Sequence, residues 1–225
     1  MSETHEEMKS FFDLRADGYD EHMASVLEEY NSLYENIASP FEKTAEPVEV
    51  LDLGAGTGIE LEFIFTRAPK ARITAVDLSE EMLKKLVNKY DKYSPQIKTI
   101  ISSYLSLELM PNSYDYIVSV MSFHHLMPEK KIALYKKLRE TLNPTGVFVE
   151  GDYIVSPEEE KKLLKEFGQL KKNDSLVDDG KYHIDIPFSE ETQIRTLKEA
   201  GFGKVDVIFR TSRSNVVAAR KEKRK

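Results

Sequence analysis

Val50-Leu-Asp-Leu-Gly-Ala-Gly-Thr-Gly58 is the stretch whose reading decides the fold. With Val48 and Glu49 before it, the run to Leu53 is a β-strand candidate, and it passes directly into a turn with glycine at positions 54, 56 and 58. A glycine turn between a strand and a helix lets the backbone approach a ligand where a Cβ would collide. It also aims the unpaired N–H groups of the helix start at negative ligand groups. A helix is expected after Gly58, ending near Arg67-Ala-Pro69.

The pattern then repeats. Ala71 to Val76 reads as a strand, Asp77-Leu-Ser79 as a turn, and the next segment as a helix with Met82, Leu83, Leu86, Val87 and Tyr90 on one stripe, capped by Ser79. Ile97–Ile101 and Tyr114–Val120 are further strands, Pro128 opens a helix, Asn143-Pro-Thr-Gly146 is a turn, and Val147-Phe-Val149 is a buried strand. Strands alternating with helices predict a parallel sheet covered on both faces. In such sheets ligands sit beyond the C-terminal strand ends, near the point where the strand order reverses.

The flanks differ from this alternation. The first forty residues predict helix, with apolar residues from Phe11 to Ile37 at three-to-four spacing. Ser156-Pro-Glu-Glu159 has a capping-box arrangement, a polar stretch runs from Lys171 to Asp185, and a helix spans about Ser189 to Ala200, with Gly201 at its C-terminal end. Val205–Phe209 and Asn215–Ala219 are separated by a short turn and predict an antiparallel pair at the sheet edge. The expectation is one α/β domain. It has a Rossmann-like, seven-stranded, mostly parallel sheet with an antiparallel last strand, a helical N-terminal lid (1–46), a cofactor-binding core (47–155), a cap insert (156–187) and a C-terminal helix with the strand pair (188–225).

The 225 residues carry 32 Lys+Arg against 39 Asp+Glu, a net charge of −7, which disfavours charge-driven nucleic-acid binding. The basic run from Arg220 to Lys225 reads as a solvated tail. With no cysteine there are no disulfides, thiolate metal sites or Cys nucleophile. No apolar run reaches the ~18–20 residues of a membrane helix, and the acidic N-terminus is unlike a signal peptide, so no membrane association and a cytoplasmic location are expected.

The glycine spacing is G-x-G-x-G, and Ile59 stands where a dinucleotide fingerprint wants its third glycine. Asp77 closes the second strand about 20 residues on, where an acid binds ribose hydroxyls. The chain thereby resembles the class I S-adenosylmethionine (SAM)-dependent methyltransferases. The resemblance rests on Val50–Gly58, Val76-Asp-Leu-Ser-Glu-Glu-Met-Leu83, Tyr114–Ser119 with Phe123-His-His-Leu126, and Leu142-Asn-Pro-Thr-Gly-Val-Phe148, in that order. Phe12 to Asp20 is similar to the start of the branch that includes ubiquinone/menaquinone-type and wobble-uridine methyltransferases.

The resemblance implies SAM as cofactor and S-adenosylhomocysteine as product. Gly54, Ala55 and Gly56 line the methionine portion, with Asp52 near its ammonium or, alternatively, in a buried structural role. Asp77 takes the ribose hydroxyls, Leu78 and Met82 flank the adenine, and Met82 also belongs to the helix stripe. Ser103-Tyr104 stands where many relatives carry an Asp for the adenine amino group. Val120 offers backbone groups, and Tyr19 closes over the methionine part or is a core aromatic.

The acceptor pocket has His124, His125, Asp152, Tyr153, Tyr182 and His183 as candidate residues, with no essential base assigned; His124-His125 is alternatively a structural turn. No spacing supports a metal site. The expected activity is methyl transfer to a small molecule. A tRNA base as acceptor, or a non-catalytic SAM-binding regulator, are the alternatives. A wobble-uridine enzyme using a carboxylated cofactor carries an Arg in its cap, and this chain has none between Arg139 and Arg195.

Overall fold

The computed structural model describes residues 7–173 and 183–221. Three short helices come first: α1 (Met8–Arg15), α2 (Tyr19–Val26) and α3 (Tyr30–Ala38). Then follow β1 (Glu49–Leu53), α4 (Ile59–Arg67), β2 (Arg72–Asp77), α5 (Glu80–Lys89), β3 (Ile97–Ile101), β4 (Tyr114–Val120) and α6 (Pro128–Thr141). The chain closes with β5 (Leu142–Tyr153), α7 (Pro157–Asn173), α8 (Glu190–Glu199), β6 (Lys204–Arg210) and β7 (Ser214–Arg220).

The strand order is β3-β2-β1-β4-β5-β7-β6. The pairs from β3 through β5 are parallel, and β7 runs antiparallel to both β5 and β6. This is the Rossmann-like methyltransferase fold, and the order reverses between β1 and β4. Alternation along β1 divides the core. Leu51 and Leu53 pack with Phe123, Tyr135 and Leu138 on one face, while Val50 packs with Leu61 and Ile64 on the other. Asp52 shares Val50's face, which directs it toward α4.

The N-terminal forty residues are helical, divided into three helices where Gly18 (φ 76°) and Glu29 (φ 49°) adopt left-handed backbone conformations. One expectation needs correction. Asn143–Gly146 is not a free turn but the irregular start of β5. Leu142 pairs with Tyr114, the register shifts before Tyr116, and Pro144 has no N–H to contribute. Asp152 and Tyr153 accordingly lie within β5, opposite Asn215 and Ser214, rather than after it.

The caps agree with the sequence. Ser79 Oγ accepts from Met82 N at 3.1 Å, Ser156 Oγ from Glu159 N at 3.2 Å, and Ser189 Oγ from Thr192 N at 3.3 Å. Among the described residues no helix is long and apolar enough to cross a membrane.

Candidate functional site

The ends of β1, β2 and β4 meet at the glycine turn. Gly54 and Ala55 donate their N–H groups to Val76 O at 2.8 and 3.1 Å. Asp77 Oδ2 accepts from Gly56 N and Oδ1 from Ser79 N, both at 2.8 Å. Burial raises Asp77's pKa, and these N–H groups work against the rise by stabilising the charge. Gly54 has φ 72°, and a Cβ there would stand 2.2 Å from Ser122 Oγ.

A narrow cavity opens above this turn. Gly54, Gly56, Asp77, Leu78 and Met82 line it. Tyr19, Ser103 and Tyr104 join them, as do Met8, Phe12 and His125. Two candidates do not line it: Ala55 and Val120 are packed into the core. Met121 and Ser122, the next residues after β4, form the wall instead. Met121 is turned there by a φ of 49°, which nothing in its residue type announces.

Asp52 is also outside the cavity wall, buried beneath the turn against Glu60, a residue that no sequence motif singles out. Asp52 Oδ1 and Oδ2 and Glu60 Oε1 find no hydrogen-bond donor elsewhere among the described residues. Burial first and the neighbouring Glu60 second push Asp52 well above the usual carboxylate range; burial raises Glu60 as well. Such a pair retains a proton until a cation arrives. Glycine cradle, acid at the ribose position and a buried carboxyl pair together fit a cofactor with an adenosine ribose and an ammonium group. The one signal for Glu60 is its place in the first turn of the helix that faces Asp52.

The N-terminal segment forms the remaining wall. Ser79 Oγ donates to Asp13 Oδ1 at 2.6 Å and Thr57 Oγ1 to Asp20 Oδ1 at 2.5 Å, while Asp17 and Asp20 pair with Lys85 and Lys89 of α5. Exposed pairs of this kind contribute little each, so they set position more than stability. Tyr19 stands over the turn: a Cβ on Gly56 would meet its Cε1 at 3.9 Å. Burial and the charge of Asp77 raise its phenol pKa, so it stays protonated.

A second, roomier cavity adjoins the first and shares Phe12, Tyr19, Met121 and His125 with it. Of the acceptor-pocket candidates, His124, Tyr153 and His183 line it, together with His22, Arg15 and Asp185. Asp152 lies directly behind His124, with Oδ1 2.5 Å from His124 Nδ1. Tyr182 lies outside the described residues.

Burial alone raises Asp152's pKa, but His124 and then Lys131 outweigh it and leave Asp152 ionised. Burial, then the charge of Asp152, pushes Glu150 up to about 7; burial lowers Lys131 to about 8. Burial, then the charge of His124, lowers His125 to about 4, a neutral imidazole at physiological pH. Asp185 belongs to the site although the sequence marks it only as part of the cap, since chain spacing alone does not bring residue 185 to residues 124 and 125.

Residues 50–146 match the family described as a methyltransferase domain. A carboxy-S-adenosyl-L-methionine synthase from Nautilia profundicola is 26% identical over 178 residues, 72% of each chain. The enzyme of the same name from Wolinella succinogenes is 26% identical over 222 residues, 92% of each chain. Among solved structures, the DhpI–S-adenosylhomocysteine complex superimposes with a TM-score of 0.68 at 17% identity, over 96% of this chain and 95% of that one. By the matched domain over residues 50–146, its strand order and these relatives, the chain is similar to the class I SAM-dependent methyltransferases and has their fold, with SAM as its cofactor.

Proposed function

We propose that the protein transfers the methyl group of SAM to a small-molecule acceptor held in the histidine-lined chamber, by direct displacement. The observation that carries this reading is the shared wall. Phe12, Tyr19, Met121 and His125 border both cavities, so a donor in one faces an acceptor in the other. Gly54, Gly56 and Asp77 would hold the cofactor's methionine and ribose parts, Leu78 and Met82 its adenine, and the Asp52–Glu60 pair its ammonium. The sulfonium supplies an already activated methyl.

What remains for the chain is to place the acceptor in line and keep water out. Phe11 and Phe12 help to exclude water. Phe11 stacks on His183 with centroids 3.6 Å apart, and Phe12 meets His125 edge-on at 6.1 Å. The Phe12–Asp20 motif supports placement near the ubiquinone/menaquinone and wobble-uridine branch.

Incubation with methyl-labelled SAM and fractionated metabolites or tRNA tests the proposal. Label in the small-molecule fraction is the expected result. Label in tRNA would favour the nucleic-acid acceptor, and saturable cofactor binding with no transfer to any fraction would favour a sensor.

The curated relatives motivate a second reading, in which the cofactor itself is a substrate: its S-methyl group loses a proton, takes up the carbon dioxide released by a carboxylate-bearing co-substrate, and leaves as carboxy-SAM. The match extends over 92% of both chains for the Wolinella succinogenes enzyme, and Arg15 in the chamber wall supplies a cation suited to a carboxylate. Mass spectrometry separates the readings, since that product is heavier than SAM by one carboxyl group.

A further inference from the structure

We propose that His124, His125 and Asp185 form a binding site for one first-row divalent transition-metal ion, open to the acceptor chamber. The site itself stands independently of methyl transfer; only its role as acceptor anchor rests on the function proposed above.

One ligand atom from each of the three residues lies within 4.8 Å of the others. Asp185 Oδ1 is 3.2 Å from His125 Nδ1 and 3.8 Å from His124 Nε2. Bonds of ~2.1 Å in a tetrahedral shell require ligand atoms ~3.4 Å apart, so both Asp185 distances lie near a coordination sphere, and the two imidazole nitrogens must draw together to share the ion.

The support behind the ligands is the independent observation. Asp152, fully buried, engages His124 Nδ1 at 2.5 Å and also accepts from Tyr153 N at 2.8 Å. That carboxylate holds the ring in place, with Nε2 on the side of Asp185 at 3.8 Å from its Oδ1. A carboxylate behind a ligating imidazole is the usual way proteins orient a metal-binding histidine.

The segment that carries Asp185 is tied down as well. Ile186 N donates to His124 O at 2.5 Å, Lys131 Nζ to Ile186 O at 3.1 Å, and Val155 N to Phe188 O at 3.1 Å.

Two imidazoles and one carboxylate suit zinc(II), iron(II) or cobalt(II) and disfavour magnesium and calcium, which prefer oxygen throughout. Three protein ligands leave positions open, and these face the chamber that Tyr153 and His183 also line. An acceptor that offers a hydroxyl or enol oxygen would bind there, and the ion's charge would ease loss of its proton to water.

Chelator-treated full-length protein titrated with cobalt(II) tests the site, read by visible d–d absorption and calorimetry, with S-adenosylhomocysteine affinity measured on every sample. The expected result is one cobalt per chain. Asp185→Asn should weaken binding by roughly a hundredfold and Asp152→Asn by roughly tenfold, within the ~10–100-fold range for outer-shell partners. Neither residue lines the cofactor cavity, so retained S-adenosylhomocysteine affinity certifies the folded state of each variant. Absence of saturable cobalt binding in wild-type protein that binds S-adenosylhomocysteine overturns the proposal, as does equal binding in Asp185→Asn. Cobalt binding without methyl transfer would instead leave the site standing and remove the function proposed for the chamber.

Discussion

The two halves of the site treat buried carboxylates in opposite ways. Beneath the glycine turn, Asp52 and Glu60 face each other with no other hydrogen-bond donor among the described residues for either Asp52 oxygen, and the charge of Lys89 favours ionised Glu60. Behind the histidine chamber, Glu150 and Asp152 have their own compensation: Tyr135 donates its hydroxyl to Glu150, with Oε2 at 2.8 Å, His124 engages Asp152, and the charge of Lys131 favours both carboxylates. On the function proposed above, a positive group of the cofactor would complete the first half, while the chamber half carries its own cation, Lys131, and presents oriented imidazoles.

The largest expected effect breaks the cofactor half outright. Gly54→Ala forces a Cβ to within 2.2 Å of Ser122 Oγ at a left-handed φ, which should cost roughly 3 kcal/mol or more of stability. Thermal denaturation and S-adenosylhomocysteine calorimetry check this, and a variant that melts and binds like the parent would refute the tight turn.

Asp77→Ala should weaken cofactor binding by ~1–3 kcal/mol, because the ribose acceptor is lost and the Gly56 and Ser79 N–H groups lose their partner. Unchanged affinity in a folded protein would remove Asp77 from the ribose role.

The contrast in charge predicts a difference in pH response. Glu150 titrates near 7 in the native state against about 4.5 when unfolded, so between these values the folded protein keeps a proton that the unfolded chain releases. Stability then falls as pH rises through that window. Glu150→Gln should abolish this decline, a change of about 2 kcal/mol between pH 5 and pH 8 in urea denaturation. Asp52→Asn should also flatten a decline that begins above the unfolded carboxylate pKa, since its native pKa is raised, but it should additionally weaken cofactor binding; Glu150→Gln should not. Equal effects of the two on cofactor affinity would erase the distinction between the halves.

The smallest effect tests the common wall. Phe12→Ala removes an aromatic face that borders both cavities and should weaken S-adenosylhomocysteine by about 1 kcal/mol, roughly fivefold, by calorimetry. No change would mean that Phe12 serves the chamber alone.

The cofactor half is legible in the sequence because its parts are local and backbone-driven. A β-run, glycines able to take positive φ, an acid at the end of the next strand and Ser79 as a cap each act within a few residues, so Gly54, Asp77, Leu78 and Met82 come together along one cavity wall. Ala55 and Val120 miss the cavity by a single residue step, since whether a residue faces the cavity or the core depends on the orientation that β4 and the turn adopt once packed. Glu60 escapes sequence reasoning because its burial against Asp52 follows from helix-on-sheet packing.

The sequence by itself determined the alternating α/β core, the reversal of strand order that creates the crevice, and the acid and glycines that furnish it. Those features follow from hydrophobic periodicity and backbone sterics, which operate at short range. Only the tertiary structure decided that Asp152 backs His124, that Asp185 joins the two histidines, and that α1 and α2 close both cavities. These are contacts between segments far apart in the chain, fixed by the packing of strands, helices and cap against one another.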